Sequence, residues 1–264
     1  MSNPLSVVTA CYNDIEKLET TLASFRGELQ AGDELLIIDS SSDWGRVRLL
    51  VENSQLSCTY KYCWTPPGGV YQAQNRGILD SSFKWIQIVN AGDCFLPGAR
   101  LAIDEAIDAF PGASLHVFRQ LAIGSDGPAY VFTPTPGSVW PHQSIIVHRS
   151  VYDREGNYLE KYRFGADQMY FARVRGSQPW ELHPFVLTSY LLGGLSAGIS
   201  FRHLREVFWV RRALGEGFVR SAVRAFVLPV ARKLLENTFG AVFVTRLKSR
   251  LYRYYTPVDS HRGH

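Results

Sequence analysis

The chain has 264 residues, 46% of them hydrophobic and 20% charged, a composition that supports a packed core and excludes intrinsic disorder as the default state. Its formal charge of +4 is unevenly spread: residues 201–264 carry thirteen Lys or Arg against four Asp or Glu, a net of +9, and residues 1–200 carry the compensating −5. No apolar run reaches the roughly 20 residues that span a bilayer, and none of Cys11, Cys58, Cys63 and Cys94 has the close paired spacing of a zinc site.

In chain order, Met1-Ser2-Asn3-Pro4 leads straight into a β-branched strand over 5–10, so no signal peptide is read and a cytoplasmic location is expected. A helix over 14–29, a strand over 34–39, a helix over 44–53, a strand over 57–63 and a helix over 70–82 follow. Next come a strand over 85–89, a helix over 98–110 and a strand over 114–119. This alternation implies an α/β fold with a mostly parallel sheet covered on both faces. Cys58 and Cys63 fall on opposite faces of one strand, so reduced thiols in or near the core are expected. After residue 119 the alternation breaks. Gly124-Ser125-Asp126-Gly127 reads as a hairpin turn, Thr133-Pro134-Thr135-Pro136-Gly137 as a stiff loop, Ser144 to His148 as another strand, and Asp167 to Arg173 as a helical segment. A second, smaller layer for an acceptor fits that pattern.

Three strand ends concentrate the polar chemistry. Thr9-Ala10-Cys11-Tyr12-Asn13 ends the first strand, Asp39-Ser40-Ser41-Ser42 the second, and Asn90-Ala91-Gly92-Asp93 follows the aromatic, apolar run Trp85 to Val89. In open α/β sheets the crevice beyond the carboxyl ends of the strands is where ligands bind. A lone Asp among small residues lets a metal ion and a phosphate approach the backbone, so Asp93 faces a ligand on one reading and caps the helix near Pro97 on the other. Asp39 has the same two readings, with a cap on the helix near Trp44 as the second. Gly68-Gly69-Val70-Tyr71-Gln72-Ala73-Gln74-Asn75-Arg76-Gly77-Ile78 is a glycine turn entering a helix shortly before Asp93.

In this order the motifs resemble glycosyltransferase family 2, enzymes of GT-A fold that move a sugar from a nucleotide diphosphate donor. Pro141-His142-Gln143-Ser144, Arg163-Phe164-Gly165-Ala166-Asp167-Gln168-Met169 and Leu192-Gly193-Gly194-Leu195-Ser196 extend the resemblance, which covers residues 4 to 198. Departures are Ala10 and Cys11 where the family often has Pro and Thr, Gln72 where it often has Asp, and Trp44 in place of a polar turn residue. Gln72 removes any carboxylate role from that position.

The resemblance implies a Rossmann-like nucleotide-binding half, a divalent cation (Mn²⁺ or Mg²⁺) and an inverting, hexosyl-transferring reaction. Asp93 would hold the metal, with Asn90, Ala91 and Gly92 beside it. Asp39 would accept a hydrogen bond from a base imino group or a ribose hydroxyl. Thr9, Ala10 and Tyr12 would line the nucleotide pocket, Tyr12 by stacking unless it simply packs, and Asn75 would sit near the nucleotide or pyrophosphate. Arg76 offers charge there or is a solvated helix residue. Asp167 would be the general base, kept ionised by the helix dipole, or an ordinary cap. His142 would contact the acceptor or the diphosphate, or is a satisfied core histidine. Gly193-Gly194 suggests close backbone approach or a flexible loop over the donor. A UDP- or GDP-linked sugar is the expected donor.

From Phe201 the chain reads as a basic amphipathic helical extension, separate from a 1–200 transferase domain. Arg212, Glu216, Arg220 and Arg224 recur every fourth residue, opposite Phe218, Val219, Ala222, Val223, Phe226 and Val227. Such a face, with Phe208, Trp209, Tyr252, Tyr254 and Tyr255 nearby, suits an anionic membrane surface, and with it a lipid-linked saccharide acceptor in polysaccharide assembly on the inner face of the cell membrane. Rival readings are a soluble acceptor with a tail that packs or forms a homodimer, and a non-catalytic nucleotide-sugar-binding protein. A nucleic-acid partner is not expected, because the apolar faces are rich and the rest of the chain is acidic. A dinucleotide oxidoreductase is disfavoured because no Gly-x-Gly-x-x-Gly turn follows the first strand.

Overall fold

The computed structural model describes residues 3–123, 129–136, 138–191, 200–239 and 255–257. β1 (Leu5–Cys11) and β2 (Glu34–Asp39) are buried at every position, as strands covered on both faces must be. Between them α1 (Ile15–Phe25) starts at Asp14, whose side chain accepts from the Lys17 N–H, and turns Leu18, Leu22 and Phe25 inward at helical spacing. Asp43 caps α2 (Trp44–Glu52) in the same way, and β3 (Thr59–Trp64) is a largely exposed edge. α3 (Val70–Asp80) returns the chain to β4 (Trp85–Ile88), on the other side of β1. β5 (Cys94–Phe95), α4 (Ala99–Ala109), β6 (Leu115–Ile123), β7 (Tyr130–Phe132) and a 3₁₀ turn at His142–Ser144 follow. β8 (Ile145–His148), α5 (Arg149–Glu155), α6 (Ala166–Val174) and β9 (Trp180–Leu191) complete the body.

The sheet runs β10-β7-β6-β8-β4-β1-β2-β3, where β10 is Tyr255–Pro257, and β9 pairs with both β5 and β6. β1 to β4 are mutually parallel, whereas β8 is antiparallel to β4. The connection reverses direction between β3 and β4, which places α3 on the opposite face from α1 and α2. Two cores result. Leu18, Phe25, Val51 and Ile103 pack on one face, and Tyr71, Ile78, Trp140 and Phe171 on the other. The reversal lies between β1 and β4, the place in an open α/β sheet where ligands bind beyond the carboxyl ends of the strands.

The expected α/β alternation holds through β6, with helix and strand ends shifted by a few residues; α1 stops at Phe25 because Arg26 turns extended and Gly27 takes φ +78°. β5, β7, β9, β10 and α5 are additional to the expected elements. The four cysteines are free, with Cys11 and Cys58 buried. The turn expected at Gly124 to Gly127 and the pair Gly193-Gly194 lie outside the described residues, as do Tyr252 and Tyr254.

The extension departs from the single helix expected. α7 (Phe201–Ala213) stops at Leu214, Gly215 takes φ +83°, and a new helix, α8 (Phe218–Ala222), begins after Gly217. A residue in left-handed conformation just past the last turn is the ordinary stop of a helix, and glycine adopts it without strain. A π turn at Val223–Val227 leads into α9 (Leu228–Phe239). Arg212, Glu216, Arg220 and Arg224 therefore do not form one stripe. Glu216 sits in the turn, its carboxylate 3.1 Å from Arg211 and 2.7 Å from Arg224. No helix among the described residues is long and apolar enough to cross a membrane.

Candidate active site

The ends of β1, β2 and β4 are stitched together by backbone bonds: Ser40 N–H donates to Cys11 O at 3.0 Å and Ala91 N–H to Ala10 O at 3.1 Å. Asn13 adopts a left-handed conformation, φ +50°, from which its carboxamide oxygen accepts from the Ser42 N–H and hydroxyl. This turn leaves the Tyr12 ring 61% exposed at the rim. Asp39 is fully buried beneath, accepting from the Ser41 N–H at 2.9 Å and the Tyr62 hydroxyl at 2.7 Å. The cap on α2 belongs to Asp43, so the capping reading of Asp39 does not hold. A carboxylate offers about four acceptor positions, of which these two bonds fill two. Trp44 at the start of α2 and Trp64 at the end of β3 are also exposed, and the Trp64 indole is anchored on Ser41 O at 3.0 Å.

Asp93 is delivered by a tight turn after β4. Its N–H donates to Asn90 O at 2.9 Å, and Gly92 takes φ +100°, a conformation that side-chain-bearing residues rarely adopt. The Thr21 hydroxyl on α1 accepts from the Gly92 N–H and lies 2.8 Å from Asp93 O, fixing the turn to the helix. α4 is preceded by Gly98, and Glu28 takes the N–H groups of Gly98 and Arg100. Asp93 is therefore free of the capping role. It is only 9% exposed, and burial pushes its carboxyl up to about 6, held from rising further by His142 and by a hydrogen bond with the Gln143 side chain.

A hydrogen-bonded chain connects this turn to Asp167. Gln74 Nε2 donates to Asn90 Oδ1 at 3.1 Å, and Asn90 Nδ2 lies 3.0 Å from His142 Nε2. His142 Nδ1 lies 2.9 Å from Asp167 Oδ2, and the Tyr71 hydroxyl donates to Asp167 Oδ1 at 2.8 Å. With the Asn90 amide donating to Nε2, the neutral imidazole carries its proton on Nδ1, aimed at the carboxylate. Burial alone would raise Asp167, but the hydrogen bond and charge of His142, with the Tyr71 hydroxyl, outweigh it and hold the carboxyl below its ordinary value. For His142 the same contact works in reverse: burial lowers it, and Asp167, with Asp93 behind, raises it above the ordinary imidazole value. Asp167 lies in the first turn of α6, which follows Gly165.

Ala10, Tyr12, Asp39, Asn90, Ala91, Gly92, Asp93, His142 and Asp167 thus gather around the strand ends. Two expected residues have other surroundings. Thr9 is fully buried in β1, where strand alternation puts it on the same face as Val7 and Cys11, toward the core packed by α1 and α2. The Asn75 amide donates to Tyr158 O and Glu160, and its carbonyl accepts from the Tyr158 N–H, so it pins the 158–160 segment. Arg76 is exposed and pairs with Asp80. The sequence marks no role for Tyr62, Tyr71, Gln74 or Gln143. Three of them lie inside the motif segments, where α3 periodicity places Tyr71 and Gln74 on one face.

Among the described residues no group of three or more His, Cys, Asp or Glu is arranged to hold a metal ion. The set present, one nearly buried carboxylate beside a carboxamide, consists of oxygen donors and suits Mg²⁺ or Mn²⁺ drawing its remaining ligands from phosphate and water. The raised value of Asp93 fits that use, since a cation would relieve the cost of ionising it.

No protein-family model matches the chain. A Mycobacterium tuberculosis protein named as an uncharacterized glycosyltransferase is 28% identical over 184 residues, 64% of this chain and 68% of its own length. Among solved structures, S. aureus TarS 1–349 in complex with UDP-GlcNAc aligns with a TM-score of 0.61 at 12% identity, covering 94% of this chain and 76% of that one. The mannosyltransferase PcManGT from Pyrobaculum calidifontis, in complex with GDP-Man and Mn²⁺, aligns with a TM-score of 0.61 at 15% identity, covering 96% and 82%. The mixed α/β architecture with its curled sheet is therefore similar to that of GT-A glycosyltransferases.

Proposed function

We propose that the chain is a metal-dependent, inverting glycosyltransferase of family 2, transferring a hexose from a nucleotide diphosphate donor. The observation that carries this reading is the linkage of Asp93 to Asp167 through Asn90 and His142 at the strand ends of a GT-A-like sheet. Donor binding would use the Asp39 carboxylate and the Tyr12 ring for the nucleoside, and the Asn90 to Asp93 turn for the diphosphate. A divalent cation held by Asp93, with Asn90 beside it, would neutralise charge on the leaving diphosphate. The acceptor hydroxyl oxygen attacks the anomeric carbon from the opposite face, its proton passes to Asp167, and the bond to the diphosphate oxygen breaks. His142 and Tyr71 hold the carboxylate in place for that transfer. The relatives support a nucleotide-sugar donor, since TarS and PcManGT are bound to UDP-GlcNAc and GDP-Man.

A thermal-shift panel tests the donor class. UDP- or GDP-sugars with Mn²⁺ should raise Tm with the logarithm of their saturation, and the same nucleotides without metal should raise it less. A panel in which no nucleotide diphosphate shifts Tm would reject the reading.

The acceptor is read from the extension. Phe218, Val219 and Val227 are 67%, 74% and 56% exposed, and Arg212, Arg220 and Lys233 stand exposed nearby in sequence. Apolar and basic groups together suit an anionic bilayer on the inner face of the cell membrane, and hence a lipid-linked saccharide of polysaccharide assembly. Each Lys or Arg near such a surface contributes about 1 kcal/mol, screened by salt, and the apolar term persists. The full chain should float with anionic liposomes at low salt and be partly released at high salt, whereas a Phe218→Ser, Val219→Ser, Val227→Ser variant should stay in solution. Equal partition of the two proteins would assign the face to packing or a homodimer.

A further inference from the structure

α7 reaches the candidate base through a buried carboxylate. Glu206 is 3% exposed and pairs with Arg202, but its oxygens also accept from the backbone N–H of Arg163, at 2.9 and 3.1 Å, and of Phe164, at 2.7 Å. Those two residues lead directly into Gly165, the residue before α6, and Asp167 is the second residue of α6. Charge-assisted bonds to two successive amides hold a loop more firmly than neutral ones. Packing acts at the same point. A Cβ on Gly165 would come within 2.9 Å of Val210 Cγ2 on α7, so the start of α6 is seated against α7 with no room for a side chain.

We propose that Glu206 is a positioning residue for sugar transfer: by gripping Arg163 and Phe164 it sets where α6 begins and so where the Asp167 carboxylate stands against the acceptor. α7 is then part of the transfer machinery, and the boundary at residue 200 divides a functional unit. This rests on Asp167 as the proton acceptor. Positional errors of about 1 Å at a reacting group cost up to a hundredfold in rate, so a loosened α6 acts on kcat and not on donor affinity.

The test is a double-mutant cycle in the full-length protein. Glu206→Ala should lower kcat tenfold or more, leave the Kd for nucleoside diphosphate with Mn²⁺ within twofold, and be largely rescued by Glu206→Gln, which keeps an acceptor oxygen. In an Asp167→Asn background Glu206→Ala should change the residual rate less than twofold, because nothing remains to be positioned. Gly165→Ala should also lower kcat, and Val210→Ala should restore it by making room; this pair decides the matter if Glu206→Ala fails to fold. An unchanged kcat in Glu206→Ala, an equal loss in both backgrounds, or no restoration by Val210→Ala would overturn the proposal. Full activity in Asp167→Asn alone would instead overturn the assignment of the base, a separate and recognisable result.

Discussion

Asp93→Asn should abolish sugar transfer and, at neutral pH, make the protein more stable. The Asp93 carboxyl is pushed up to about 6 in the folded chain, against 3.8 when unperturbed, because it is nearly enclosed with no Lys or Arg partner among the described residues. For a group raised in the fold, the stabilising contribution is fully present below about pH 4 and is lost as pH rises through about 6. At pH 7.5 the ionised carboxylate therefore costs up to about 3 kcal/mol, an upper bound that Asn would remove. Tm should rise by a few degrees at pH 7.5, with the gain fading between pH 6 and 4. Calorimetry should show nucleoside diphosphate affinity enhanced by Mn²⁺ in the parent protein, weakening below about pH 6 as protons compete, and no Mn²⁺ enhancement in the variant. The same metal-linked affinity in both proteins would remove Asp93 from the site. The opposition of stability and function at one side chain separates this outcome from simple unfolding.

Asp167→Asn should slow transfer about a hundredfold or more while leaving donor affinity nearly unchanged, the pattern of losing a general base. The isosteric amide can still accept from Tyr71, so α6 should remain seated. His142 should respond too, because Asp167 is what raises its imidazole against the lowering effect of burial. An NMR titration should find His142 at lower pKa in the variant. A variant that turns over normally at saturating donor and acceptor would remove Asp167 from the chemistry.

The sequence by itself determined the α/β half. Its strands are short apolar runs, its helices carry caps such as Asp14 and Asp43, and both signals are local. Local signals also mark the segments around Asp39, Asp93 and Asp167, which stand beside small residues and turns, but their burial and mutual linkage come from the fold. β9 was not legible: Pro184, His183, Thr188 and Ser189 interrupt its apolar pattern, and it is held by pairing with β6 across a bulge and with β5, partners far away in sequence. The contrast between neighbours on α3 had to be decided in three dimensions. Tyr71 and Gln74 turn toward Asp167 and Asn90, whereas Asn75 turns to the 158–160 segment, because the identity of a side chain does not say which polar group will lie opposite it. Glu206 is given no role by the sequence, where its neighbours are Arg205 and Val207. Only the packing of α7 against α6 buries its carboxylate, and a buried charge must find donors, which here are the two amides that lead to Asp167.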